Sequence, residues 1–260
     1  MRFAFGKNWQ SFAAQIGPRE VAEAKRGLLK LISANDLRGK SFLDIGCGSG
    51  LHALAAIELG AGRVTAIDID PDSIAAARET LNVAGVRCTI SQGDVFEIEG
   101  SFDVVYSWGV LHHTGDMWAA IERASMLVAP KGRFIFSLYR KTQFDAAWVF
   151  EKRLYAGAPS ALQAVIRAGY LLAFRLACRR ITGGSYRDFV RGYYQDRGMS
   201  HAHDVHDWLG GFPYETAAPA EVENKLASLG FRQEKAFYFP LRLRGLLGSA
   251  CDEYAYVRTN

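Results

Sequence analysis

The nine residues from Phe42 to Gly50, FLDIGCGSG, constrain the fold of this chain more than any other stretch. A short apolar run closes on an acid, glycines follow at 46, 48 and 50, and an Ala/Leu-rich helical sequence begins at once. A strand feeding a glycine loop and a helix is the opening unit of an α/β sheet. Unpaired backbone N–H groups and the positive end of the helix converge at such a loop, so the expectation is a cofactor site whose amides receive an anionic group.

The spacing narrows the ligand. A dinucleotide loop reads G-x-G-x-x-G, but here the pattern is G-x-G-x-G with Leu51 where the third glycine would stand. A P-loop needs Gly-Lys-Ser/Thr at the helix start, which is absent, and a hydrolase elbow needs glycine where Cys47 precedes Ser49 by two residues.

Apolar strand runs alternate with helical periodicity from residue 20 to 139. Strands are expected at 41–45, 63–68, 86–91, 102–107 and 132–139, and helices at 19–33, 51–59, 71–84 and 116–128. Pro71 sits at a helix start, where its missing N–H costs nothing. Such alternation implies a doubly wound, mostly parallel sheet with ligands outside the carboxyl ends of its strands. After Tyr139 the alternation stops. Two helical stretches, 144–155 and 160–181, and an aromatic- and His-rich segment lead to a helix opened by Pro219 and two last strands, near 235–239 and 254–258. The expected organisation is an arm and first sheet portion over 1–139, a helical cap over 140–218 inserted after the fifth strand, and completion of a seven-stranded sheet over 219–260. An insertion of this length suits a lid.

The chain has 260 residues, 49% hydrophobic and 22% charged, enough for one sizeable core and a smaller satellite. The net charge of +4 is mild and the basic residues are dispersed, so a nucleic-acid partner is not expected. Cys47, Cys88, Cys178 and Cys251 lie far apart, without zinc spacing, and the N-terminus lacks a secretory pattern. A reduced, cytoplasmic setting follows as the expectation. The most apolar window, Ala161 to Cys178, is interrupted by Gln163, Arg167 and Arg175 and reads as a buried or interfacial helix too short and too charged to span a bilayer.

Asp44 before the loop, Asp68 closing the next apolar run VTAID, GDVF at 93–96, FDVVYSWGVLHHTGD at 102–116 and LVAPKGRFIFSLY at 127–139 together resemble the ordered motifs of class I S-adenosylmethionine-dependent methyltransferases, which have a Rossmann-like fold. The resemblance implies S-adenosyl-L-methionine as cofactor. Asp44 and the loop residues Gly46, Cys47, Gly48 and Gly50 would then hold its amino-acid end, and Asp68, followed by Ile69, its ribose hydroxyls. Asp94 would accept from the adenine amine with Val95 packed on the ring, and Ser107 and Trp108 would stand beside the methyl group. Read alone, Asp94 is equally an ordinary turn residue. The family often has glycine where Lys131 stands, a difference of turn geometry. Over the whole chain, FAFGKNWQSF, SWGVLHHTGDMW and RGMSHAHDVHDWLGGFPYE resemble a bacterial small-molecule methyltransferase family often labelled by analogy to quinone O-methyltransferases. That family tends to read Gly-Cys-Asn-Glu before the last strand, where this chain has Ala250-Cys251-Asp252-Glu253.

A hydroxyl acceptor requires a base, and histidine titrates in the right range. His112 and His113 qualify by position after the fourth strand, and His203, with Asp204 or Asp207, as a cap-borne pair. Either element of this reading competes with purely structural histidines. HAHDVH at 201–206 resembles a metallohydrolase string, but Val205 replaces its acid, and no metal is expected. Phe5, Trp9, Tyr139, Arg140, Tyr193, Tyr194, Trp208 and Tyr214 are candidates to wall the substrate site. Glu215 is either a pocket acid or part of a helix cap. The expected activity is methyl transfer to a small molecule, with oxygen the favoured acceptor. A lipid or quinone-like substrate reached at a membrane surface, with weak surface contact, and a non-catalytic cofactor-binding partner protein are the alternatives. The oligomeric state is not specified by the sequence.

Overall fold

The computed structural model describes residues 6–13, 15–197, 201–239, 245 and 251–259, with backbone alone at 7, 8, 11, 194–197, 202 and 203. The chain divides into two compact units. One holds the sheet, and the other is built on residues 142–214, narrower by a few residues at each end than the expected 140–218 insertion.

In the sheet unit, helices α1 (Gly6–Ala13), α2 (Pro18–Leu31) and α3 (Ala34–Leu37) precede strand β1 (Ser41–Ile45). Then come α4 (Leu51–Glu58), β2 (Arg63–Asp68), α5 (Pro71–Val83), β3 (Thr89–Gln92), β4 (Phe102–Trp108), α6 (Met117–Met126) and β5 (Val128–Tyr139). After the second unit the sheet closes with α11 (Pro219–Ser228), β6 (Phe231–Phe237) and β7 (Cys251–Arg258). The strand order is β3-β2-β1-β4-β5-β7-β6. Strands β1 to β5 pair in parallel, and β7 runs antiparallel between β5 and β6.

Alternating side chains explain the three layers. On β4, Val105 faces a core shared with α6 and α11, where Leu43, Phe134, Ile121 and Leu226 are also buried. Its neighbours Val104 and Tyr106 turn to the opposite face, packing with Phe42, Ala66, Leu28 and Ala77 of β1, β2, α2 and α5. The helix at Pro71 forms as expected, with Asp70 as N-cap accepting from the Asp72 N–H at 2.9 Å. A bulge interrupts the pairing of β4 with the start of β5, and there Lys131 adopts a left-handed φ of 60°.

The second unit is α7 (Asp145–Gly157), α8 (Ser160–Thr182), α9 (Tyr186–Arg197) and α10 (His201–Gly210). Tyr155, Val205 and Leu209 form its core. The aromatic- and His-rich segment thus folds largely as α9 and α10, whose charged and aromatic residues mask helical periodicity. Helix α8, at 23 residues, is not too short to cross a bilayer, and only 11% of its most apolar 18-residue window is buried. By length and composition it is long and apolar enough to cross, which corrects the expectation of a helix too short and too charged, and of the buried or interfacial alternatives the buried one is not met.

Candidate cofactor and catalytic site

Most amides of the glycine loop are already engaged. The N–H groups of Gly46 and Cys47 both donate to the Ile67 carbonyl, at 2.8 and 2.9 Å, and the Gly48 N–H donates to the Asp68 carboxylate at 2.9 Å. Gly50 N–H closes the turn on the Cys47 carbonyl. The sequence expectation of an anion held by these amides is therefore corrected: β1 and β2 end at the same level, and the loop uses its donors to tie them together. Gly46 is required for close approach, since its φ is +72° and a β-carbon there would stand 2.3 Å from the Val110 side chain.

The loop instead surrounds two carboxyl groups. Asp44 on β1 is 2% exposed, and its Oδ2 is buried without a hydrogen-bond partner. Burial, reinforced by the charge of Asp68, raises its pKa to about 7, while a bond from the Ala53 N–H at the start of α4 pulls the other way. Asp68, at the end of β2, accepts from Asp70 N–H as well as Gly48 N–H, and burial raises its pKa too. Each carboxylate oxygen has two acceptor positions, so these bonds leave acceptor capacity on Asp68. Two desolvated acids, one with an oxygen that no donor reaches, form a site complementary to a cation.

Around them, α1 lies along α5 and the loop. Gly6 N–H donates to the Asp70 carboxylate at 3.0 Å, and a β-carbon on Gly48 would stand 3.0 Å from the Trp9 indole. Ile69, next to Asp68, is exposed. Asp94 accepts from the Phe96 N–H at 3.2 Å through one oxygen, the turn arrangement, and Val95 is buried in the core. Ser107 is buried, and its hydroxyl donates to the Ile45 carbonyl at 3.1 Å, tying β4 to β1. Trp108 stands 6.1 Å from the His52 ring, and burial lowers the pKa of that histidine to about 4, so it is a neutral imidazole.

At the carboxyl edge of β4 and β5 the structure joins three predicted residues. The 3₁₀ turn Leu111–His113 sets the His112 ring 4.0 Å from Tyr139 and 4.4 Å from His113, whose own ring lies 5.5 Å from Tyr139. His112 is fully buried and its carbonyl accepts from the Glu215 N–H, whereas His113 is half-exposed. Glu215 resolves as a helix cap: its carboxylate accepts from the Met117 N–H of α6 at 3.0 and 3.1 Å. Arg140, a candidate substrate residue, forms a bidentate pair with buried Asp252 at 2.7 Å on both branches. Asp252 lies within β7, opposite Leu138, so Cys251–Glu253 belong to the last strand rather than preceding it.

The remaining candidates belong to the helical unit. Tyr193 donates to Asp204 across α9 and α10, and His206 Nδ1 lies 2.7 Å from the Tyr155 hydroxyl. Asp207 is on α10 with His206, while Phe5 and the side chains of Tyr194 and His203 fall outside the described residues. Among the described residues no three metal-ligating side chains converge. Trp208 and Tyr214 pack edge to face at 5.9 Å around a lysine that sequence reading missed. Lys152 is fully buried, donates to the Trp208 carbonyl and stands 3.5 Å over the Trp208 ring. Burial lowers its pKa, and no local motif marks it, because Trp208 and Tyr214 around it are about 60 positions away in sequence.

Comparisons with known proteins fit this geometry. A methyltransferase domain family matches residues 36–191, more than half of the chain. The chain belongs to this methyltransferase family. Its cofactor is S-adenosyl-L-methionine, and the mostly parallel seven-stranded sheet is the class I methyltransferase fold. The chain is 35% identical over 123 residues to a ribosomal protein L11 methyltransferase of Laribacter hongkongensis, covering 46% of this chain and 41% of that protein. It is 35% identical over 113 residues to a ubiquinone biosynthesis O-methyltransferase of Azorhizobium caulinodans, covering 42% and 44%. The chain thus spans less than half the length of these curated relatives. Among solved structures, a magnesium protoporphyrin IX methyltransferase from Synechocystis PCC 6803 with bound S-adenosylhomocysteine superposes with a TM-score of 0.55 at 18% identity, over 92% of this chain and 83% of that one. A methyltransferase from Mesorhizobium loti gives 0.53 at 19% identity, over 90% and 96%.

Proposed function

We propose that this chain transfers the methyl group of S-adenosylmethionine to a small-molecule acceptor, with a hydroxyl oxygen as the favoured nucleophile. The observation that carries this reading is the partnerless carboxyl oxygen of Asp44 beside Asp68, in a loop whose amides at Gly46, Cys47, Gly48 and Gly50 are already used. A pyrophosphate needs open amides and meets two acids here, whereas a ligand bearing ammonium and sulfonium charges relieves the burial of both.

Asp44 would hold the cationic amino-acid end, and the remaining lone pairs of Asp68 would accept from the ribose hydroxyls. Asp94 has a second oxygen for the adenine amine, and Trp9 would shield the loop from water. Bound there, the cofactor supplies a methyl group already activated on a sulfonium. The chain then has to orient the acceptor and take its proton. His113 is favoured as that base because it is half-exposed at the carboxyl edge of the sheet, with Tyr139 beside it, whereas His112 is enclosed. The helical unit, by its aromatic content, is the source of acceptor selectivity in this reading. The relatives act on a ribosomal protein and in ubiquinone biosynthesis, and the shared portion does not choose between such acceptors.

The experiment is incubation of the purified chain with S-adenosylmethionine and fractionated small-molecule and protein extracts, following S-adenosylhomocysteine and mass gain of about 14 Da per methyl transferred. Methylation confined to a small molecule supports the reading. Methylation of a protein fraction alone would refute the acceptor class while leaving the cofactor intact.

A further inference from the structure

Helix α8 carries an apolar stripe that its own unit leaves uncovered. Leu162, Val165, Leu172 and Leu176 are 45, 68, 58 and 77% exposed. With Gly169 they fall within an arc of about 80° at 3.6 residues per turn. The opposite side of the helix is the packed one, with Phe174 and Cys178 buried and Phe174 against Tyr186, Phe189 and His201. Arg167, the only charge in the first two thirds of the helix, is turned inward and hydrogen-bonds Tyr155. Charge therefore flanks the stripe only in its C-terminal third, where Arg175, Arg179 and Arg180 are all exposed. Phe150 and Leu154, one turn apart on α7, are also exposed, at 71 and 53%.

The surrounding charge is one-sided. From Phe150 to Arg191 there are eight basic residues against two acidic ones, although the whole chain nets only +4. An apolar stripe of this length on a helix with arginines and no acids matches an anionic bilayer surface, which accepts apolar side chains at its acyl boundary and holds cations at its headgroups. Spanning is disfavoured by the packed face of α8, which already serves the core of the unit.

We propose that α8 is a docking face for anionic lipid bilayers, lying in the membrane interface with Leu162, Val165, Leu172 and Leu176 inserted and Arg179 and Arg180 on the headgroups. The test is flotation of the full chain with vesicles of phosphatidylcholine alone or with about 30% phosphatidylserine, a range in which basic residues respond to surface potential. The wild-type chain floats with the anionic vesicles and not with the neutral ones. Replacing both arginines (Arg179→Ser with Arg180→Ser) weakens vesicle binding about 30-fold, at roughly fivefold each. L172Q with L176Q weakens it by about tenfold or more. Both double variants retain wild-type binding of S-adenosylhomocysteine, which certifies the fold, and L162Q with V165Q repeats the test should the first pair misfold. No flotation of the wild type, equal flotation on neutral vesicles, or flotation untouched by the leucine variants overturns the proposal. So does a dimer that L172Q with L176Q dissociates without any vesicle binding, which would make the stripe a subunit interface.

Discussion

Asp44 sets the energetics of the site because its proton is retained by burial rather than by a partner. A carboxyl group titrating near 3.9 in the unfolded chain and at about 7 in the fold binds more protons when native throughout that window. Stability is therefore fully present below the unfolded value and is lost as pH rises toward the folded one. Urea unfolding of the cofactor-free chain should show stability falling by roughly 2–4 kcal/mol between pH 4.5 and 8, and Asp44→Asn should flatten that slope. A second residue carries strain: Lys131 holds φ 60°, a conformation unfavourable to side chains with a β-carbon. Lys131→Gly should raise the unfolding free energy by about 1 kcal/mol, with no change in cofactor affinity.

At the scale of elements, the β1–α4 loop and the β4 and β5 ends position the chemistry. Gly46→Ala would drive a β-carbon into Val110 and force a left-handed alanine, so thermal melting should show a loss of about 2 kcal/mol or more. The Arg140–Asp252 pair joins β5 to β7 with Asp252 buried, and Asp252→Ala should cost about 3 kcal/mol by leaving a half-buried guanidinium unpaired. For catalysis, His113→Ala should slow single-turnover transfer by roughly 10²–10⁴-fold with little change in cofactor affinity, the scale of general-base removal. A larger effect of His112→Ala on folding than on the transfer rate is the companion expectation, since that ring is enclosed. The strands and helices of the sheet unit were legible because periodicity switches between 2 and 3.6 there, and β1, β2, α4 and α5 form within one residue of the expected bounds. Strand β3 was placed early and β6 late, since both lie at sheet edges where alternation is weak. Helices α9 and α10 were not legible as helices, because Val205 and Leu209 are the aliphatic residues buried on α10, with His201 beside them, and α9 packs through the rings of Phe189 and Tyr193. In the site, Asp44 and Asp68 were readable from their strand ends. The use of the loop amides was not, because it depends on the Ile67 carbonyl of the neighbouring strand, which local sequence does not reveal.

At the scale of the whole molecule, a class I methyltransferase sheet with a four-helix unit inserted after β5 accounts for where the titratable groups gather. The sheet unit gathers the acids Asp44 and Asp68 and the His112–His113–Tyr139 group at strand ends, while the helical unit carries an enclosed lysine and an exposed apolar helix. The central claim is that the acid pair receives a cationic adenosyl ligand. The most direct measurement is titration calorimetry of the full chain at pH 7 in two buffers of different ionisation enthalpy, with S-adenosylmethionine and separately with NAD. Because Asp44 titrates at about 7 when the site lacks its ligand, S-adenosylmethionine should bind with release of about half a proton, and Asp44→Asn should weaken binding and abolish the release. Tight NAD binding with no detectable binding of S-adenosylmethionine, or S-adenosylmethionine binding without proton release, would contradict the account.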